Sequence, residues 1–295
     1  MPGTTALPVL EGVEHHDIDL PGLRMHVAEA GAGAGEPVLL LHGFPQHWWE
    51  WRAVIPGLAE QHHVICPDLR GAGWTEAPAG GYDREQLLAD VVGLLDARGL
   101  DRVHVLAHDW GAIVGFLLCL RHPERVGRYI SCAIPHPYVR FDRRMLAGMW
   151  RMWYQFAILT PGLGPYLVGS GKQPLTRHLL HEYVTDQSTW SEADIELFLA
   201  RLRERARARA ASALYRDFIQ PEARRIIAGG YRDTRLTTPT LLLAGAEDPV
   251  VRAELLGGCE AYADDLRVET IASASHFLVD EQPEAVLDYA LEFFG

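Results

Sequence analysis

Three segments far apart in the chain carry residue types suited to covalent chemistry. Val103 to Val114 reads as a strand, a sharp turn and a helix, with Ala107-His108-Asp109-Trp110-Gly111-Ala112 at the bend. Small residues frame Asp109, as a tight strand-to-helix turn requires, because a bulky neighbour there would collide with the adjoining strand or helix. A carboxylate so placed is ordinarily ionised at neutral pH and can attack without a base. Attack on an ester carbonyl would give a reactive anhydride, whereas attack on a saturated carbon gives an alkyl ester that water can hydrolyse, so Asp109 points to alkyl transfer. The competing role for Asp109 is a cap on the following helix. His276, in Ser273-Ala274-Ser275-His276-Phe277, could activate the water, and either Asp248 or its neighbour Glu247, in Gly245-Ala246-Glu247-Asp248-Pro249, could orient it.

Elements that could hold these segments follow from the apolar pattern. Residues 38–41, 64–66, 103–107 and 129–134 are short apolar runs, each suited to a strand buried on both faces. Between them the clearest helical pattern runs from Asp83 to Arg98, with capping-box spacing at Asp83 and Gln86, one face formed by Leu87, Val91, Leu94 and Leu95, and Gly99 as its stop. This alternation predicts an α/β fold with a mostly parallel, doubly wound sheet whose active loops lie at the carboxyl ends of the strands. After Pro135 the rhythm breaks, and helical segments rich in aromatic residues and arginine run to about Arg232. It resumes with Thr240 to Ala244 and Val268 to Ile271 and ends in a helix near Pro283. The expected organisation is a core of residues 1–136 and 233–295, split by a helical cap over 137–232.

His42-Gly43-Phe44-Pro45, Asp68-Leu69-Arg70-Gly71-Ala72-Gly73 and His108-Asp109-Trp110-Gly111 together resemble the epoxide hydrolase branch of the α/β-hydrolase fold family, over nearly the whole chain. The resemblance implies Asp109 as nucleophile, His276 as base and Asp248, rather than Glu247, as its acid, in the chain order of that fold. It also implies an oxyanion hole from the backbone N–H groups of Phe44 and Trp110, a loop held by His42-Gly43, and a cis Phe44–Pro45 bond. An epoxide leaves as an alkoxide, a strong base that needs an acid. Trp153-Tyr154-Gln155-Phe156 before Pro161-Gly162, and Ala213-Leu214-Tyr215-Arg216, resemble the two tyrosine motifs of that branch, which implies Tyr154 and Tyr215 as paired donors; lid packing is their competing role. His42, Pro45, Trp110 and Phe277 are expected to border the substrate. A haloalkane dehalogenase would share the Asp-His-Asp set, but Phe44 offers no side-chain donor to a halide. A non-enzymatic binding protein on the same fold would show decay at these positions, and none is seen.

Composition narrows the partners. With 27 Lys+Arg against 39 Asp+Glu the net charge is −12, which disfavours nucleic acid and anionic lipid. The start, Met1 to Leu10, lacks the form of a secretory signal, and the longest apolar run, around Ala112 to Leu120, is too short for a membrane span. Cysteines 66, 119, 132 and 259 make no CxxC pair and read as buried free thiols of a reducing, cytoplasmic protein. His178, His181 and Glu182 read as a polar helix face, so no metal and no cofactor are expected. The arginine run 201–209 reads as a solvated lid helix striped by Leu202, Ala206 and Ala210. Of Trp48, Trp49 and Trp51, at least two are expected to pack a helix. The expected partner is a small apolar epoxide, and a homodimer is left open.

Overall fold

Strands without polar residues on either face must be covered on both sides, and that rule organises the chain. The computed structural model describes residues 6–139, 149–252 and 256–295. Eight strands form one sheet: β1 (Glu14–Leu20), β2 (Leu23–Ala30), β3 (Pro37–Leu41), β4 (His63–Pro67), β5 (Val103–His108), β6 (Val126–Cys132), β7 (Thr240–Gly245) and β8 (Leu266–Ile271). Their spatial order is β1-β2-β4-β3-β5-β6-β7-β8. From β4 to β8 every pairing is parallel, and β1 and β2 add antiparallel edge pairings. Each of the six expected runs lies in or overlaps one of the parallel strands. The β1–β2 hairpin was not expected, because its segments are laced with His, Glu and Asp. A signal for it is present: Leu20 pairs with Leu23 across Pro21-Gly22, and Gly22 takes φ 75°, as the second central residue of a Pro-Gly turn does.

The sheet's two faces feed two large apolar clusters, one built on Leu39, Val105 and Leu117, the other on Leu40, Leu106 and Phe293. The helix α2 (Arg84–Ala97) is preceded by α1 (Ile55–Ala59) and followed by α3 (Asp109–Arg121). Asp83 caps α2 by accepting from the N–H groups of Glu85 and Gln86. The reciprocal half of the expected capping box is replaced, since the Gln86 amide reaches forward to Asp90 at 2.9 Å. Trp48 and Trp51 are fully buried in a 3₁₀ turn, Trp48–Ala53. All four cysteines are free and buried.

Between β6 and β7 the described residues hold only helical elements, from Met149–Met152 to Gln220–Ile227. Of the segment expected to form the cap, residues 140–148 lie outside the described residues, as do the first five residues of the N-terminal stretch. The arginine run departs from expectation. A 3₁₀ turn, Arg201–Arg203, breaks it before the helix Arg205–Leu214, so Ala206 is exposed and Arg207 is buried. The reason is hydrogen bonding: Arg207 donates to the carbonyls of Ala72 and Thr75, and Arg201 to that of Gly73 at 3.1 Å. These contacts pin the helices to the Asp68–Gly73 loop of the sheet. That loop is itself held by Asp68, which accepts from the N–H groups of Trp48 and Trp74 at 2.8 Å each. Burial alone would raise the Asp68 carboxyl, but His26 at 2.8 Å outweighs it and holds the group well below the usual carboxylate range. No helix among the described residues is long and apolar enough to cross a membrane.

Candidate active site

Asp109 opens α3 directly after β5 with φ 46°, a left-handed conformation that a non-glycine residue adopts only when its surroundings enforce it. The enforcing contacts are close approaches. A Cβ at Gly111 would fall 2.5 Å from the carbonyl oxygens of Leu41 and His42, and one at Gly43 would fall 2.5 Å from the Asp109 Cβ. Glycine at both positions lets the elbow and the loop after β3 come together. The Phe44 N–H then donates to Asp109 Oδ2 at 3.0 Å, and Phe44–Pro45 is cis. Trp110 is the second residue of α3, so its N–H belongs to the first turn, whose amides have no partner within the helix.

His276 stands between two carboxylates. Its Nε2 lies 3.6 Å from Asp109 Oδ1 and its Nδ1 3.1 Å from Asp248 Oδ2. Asp248 follows β7 and is fixed through its other oxygen, which accepts from Val250 N–H at 2.7 Å and Val251 N–H at 2.9 Å. Glu247 is solvent-exposed, so of the two acids the structure brings Asp248 to the imidazole. Burial pushes the His276 imidazole down, but the carboxylates of Asp109 and Asp248 on either side of it more than offset this and carry it up to about 10. A histidine raised above its unfolded value of about 6.5 contributes stability that is complete below that pH and is lost as pH rises through about 10. The melting temperature is therefore expected to fall between pH 7 and 10, and His276→Asn is expected to flatten that slope in parallel thermal scans. Equal slopes in both proteins would refute the pairing.

A cavity of about 150 Å³ adjoins this set, with Asp109, His276, Tyr154, Tyr183 and Tyr215 among the polar groups that line it. Its remaining wall is largely apolar, with Trp110, Ile113, Leu179 and Phe277 among its members. Tyr154 and Tyr215 lie with ring centroids 6.5 Å apart. Burial pushes both phenols far up, with Tyr183 and the Asp109 charge adding to it at Tyr154, and Tyr154 and the Asp109 charge doing so at Tyr215, so both keep their protons. The Trp110 side chain beside Tyr215 and the Gln155 side chain beside Tyr154 offset part of this rise.

Of the residues expected to border the substrate, Trp110 and Phe277 line this cavity, and His42 and Pro45 do not. His42 is a brace. Its Nε2 accepts from Leu69 N–H at 2.9 Å, so the proton sits on Nδ1 and is donated to the Gly43 carbonyl at 2.9 Å. Pro45 faces a smaller hollow beside Arg70 and Phe198. Sequence reasoning missed Tyr183, which follows the helix Pro174–Glu182, and the buried pair of Glu50 Oε1 and His108 Nδ1 at 2.7 Å. Glu50 also accepts from Gly43 N–H, and His108 Nε2 meets the His276 carbonyl at 2.8 Å, so this pair braces three loops at once. Nothing in a Trp-Trp-Glu-Trp string marks the glutamate as buried. Among the described residues no group of three or more His, Cys, Asp or Glu could hold a metal ion, and His181 instead contacts Gln187 at 2.9 Å.

Comparison with known proteins gives a consistent set of likenesses. A family profile described as alpha/beta hydrolase fold matches residues 36–283. The chain is similar to a soluble epoxide hydrolase of Corynebacterium sp. (strain C12), with 29% identity over 96% of this chain and 98% of that one. It is 28% identical to epoxide hydrolase 4 of Homo sapiens, over 90% of this chain and 74% of the human one. Among solved structures, wild-type Cfl2 from Burkholderia cenocepacia superposes with a TM-score of 0.84 and 28% identity, covering 100% of both chains.

Proposed function

We propose, from the premise that this chain belongs to the alpha/beta hydrolase fold family, that it is an epoxide hydrolase converting a small apolar epoxide and water to a vicinal diol. The observation that carries this reading is that one cavity is lined by the Asp109 carboxylate, the His276 imidazole and two phenols, Tyr154 and Tyr215, that keep their protons. In it, residues 1–136 and 233–295 form the catalytic core and 137–232 the cap that brings the phenols. The epoxide hydrolase relatives support the substrate class.

In the first step an Asp109 oxygen bonds to a ring carbon, the carbon–oxygen bond breaks, and its electron pair goes to the ring oxygen, which takes a proton from a phenol. Esterification removes the Asp109 charge that helps hold His276 as imidazolium, so the imidazole's proton replaces the one the phenol lost. Neutral His276, oriented by Asp248, then takes a proton from water as the hydroxide adds to the Asp109 carbonyl carbon. The Phe44 and Trp110 N–H groups hold the tetrahedral oxyanion. Collapse passes a proton to the departing alkoxide, releases the diol and restores the Asp109 carboxylate beside imidazolium. Halide departure would need no acid, so the paired phenols favour an epoxide over a haloalkane.

A single turnover in ¹⁸O-labelled water tests the covalent step. The diol is expected to carry no label, while the peptide containing Asp109 acquires it. Label appearing in the first equivalent of diol would mean direct attack by water.

A further inference from the structure

The short helix Leu278–Glu281 ends on an acid that the reaction scheme does not use. Glu281 Oε2 accepts from Ser275 N–H at 2.8 Å, in the loop that carries His276, and Oε1 accepts from Thr185 N–H, just beyond the helix Pro174–Glu182. Between these two bonds the His276 N–H donates to the Tyr183 carbonyl at 3.1 Å. The carboxylate thus closes a small ladder joining residues 183–185 to residues 275–276. Tyr183 carries the connection onward. Its O–H donates to the Arg151 carbonyl at 3.0 Å, three residues before Tyr154, and its ring lies 6.1 Å from both the Tyr154 and the His276 rings.

We propose that Glu281 is a positioning residue that fixes the base loop to the segment bearing Tyr183, so that His276 and Tyr154 are held in one frame. The proposal rests on the reading of His276 as base and Tyr154 as acid. Its neighbour Asp280 faces the other way, to Arg52 at 2.7 Å and Gln46 at 2.6 Å, so that ion pair is no part of this ladder. Burial pushes the Glu281 carboxyl up, and the N–H groups of Thr185 and Ser275 with the Thr185 hydroxyl pull it back. Those donors are what make a carboxylate the right group here. A glutamine could accept from only one of the two amides, and its own NH₂ would confront the other.

The test compares wild type with Glu281→Gln and Glu281→Ala. Amide exchange is read by mass spectrometry on peptides spanning 183–188 and 273–278, and both steps are read by single turnover on an epoxide. Exchange is expected to rise in those two peptides alone. Hydrolysis of the alkyl-enzyme is expected to slow about tenfold or more, with a smaller loss in alkylation, because the base is the group displaced. The ester then accumulates, and kcat and KM fall together. Unchanged exchange in the two peptides would overturn the ladder, and equal slowing of both steps would overturn its role in placing the base. If wild-type protein forms no ester, the epoxide reading fails, while the exchange data still decide whether Glu281 ties the two segments. Should Glu281→Ala fold poorly, Glu281→Gln carries the same readouts.

Discussion

Asp109→Asn is expected to lower turnover of a styrene-type epoxide by at least about 10⁴-fold while leaving the fold intact, since nucleophile removal costs on that order in enzymes that act through a covalent intermediate. Asparagine tolerates the left-handed elbow conformation that Asp109 adopts at φ 46°, and its carbonyl oxygen can still accept from Phe44 N–H. What it lacks is the charge. Loss of that charge has a second consequence at His276, whose rise to about 10 depends in part on Asp109. The imidazole resonance followed by NMR is expected to titrate at lower pH in the variant than in wild type. A variant with wild-type turnover would remove Asp109 from the reaction, and an unmoved imidazole titration would break the link between the two groups.

Much of this arrangement is legible in the sequence because it is local. The elbow needs small residues at fixed offsets from Asp109, and a strand buried on both faces needs an unbroken apolar run; both leave marks within a dozen residues. Gly43 and Gly111 are legible as a motif, although only the fold explains them, as the points where the loop after β3 and the elbow touch. Resemblance, not periodicity, singled out Tyr154 and Tyr215 among the ten tyrosines, and the structure brings both to the cavity with Asp109. What was illegible is tertiary. Arg207 reads as one solvated charge among many in its run, yet it is buried because two carbonyls of a loop some 130 residues earlier accept its protons. Pro45 stands beside Phe44 in sequence, yet Phe44 borders both the cavity and the smaller hollow while Pro45 borders the hollow and not the cavity. Glu50, Tyr183 and Glu281 act through backbone groups of other segments, and a residue that recognises a distant N–H leaves no pattern around itself.

Replacing both phenols, Tyr154→Phe with Tyr215→Phe, is expected to slow alkylation by at least about 10³-fold, whereas either single change costs about tenfold. Two donors serve one developing alkoxide, so the first to be lost leaves the other in place, and the cost of losing both exceeds the sum of the single costs. Phenylalanine keeps the ring volume, so the wall is preserved: Tyr215 still packs edge-on against Phe44 at 5.3 Å and Trp110 at 5.9 Å. The deficit should therefore appear in ester formation and leave hydrolysis of a preformed ester by His276 nearly untouched, a split that stopped-flow and quench experiments resolve. The two single variants also need not be equal. Tyr215 is fully buried with its ring edge-on to Phe44 and to Trp110, the residue beside the nucleophile, while Tyr154 is only partly buried and packs edge-on against Tyr183. A phenol packed between two residues that flank the nucleophile is placed more firmly than one packed within a partly exposed segment, so Tyr215→Phe is expected to be the costlier single change. A double variant that alkylates at the wild-type rate would show that the ring oxygen leaves without help from either phenol, and the acid would then have to be sought elsewhere along the cavity.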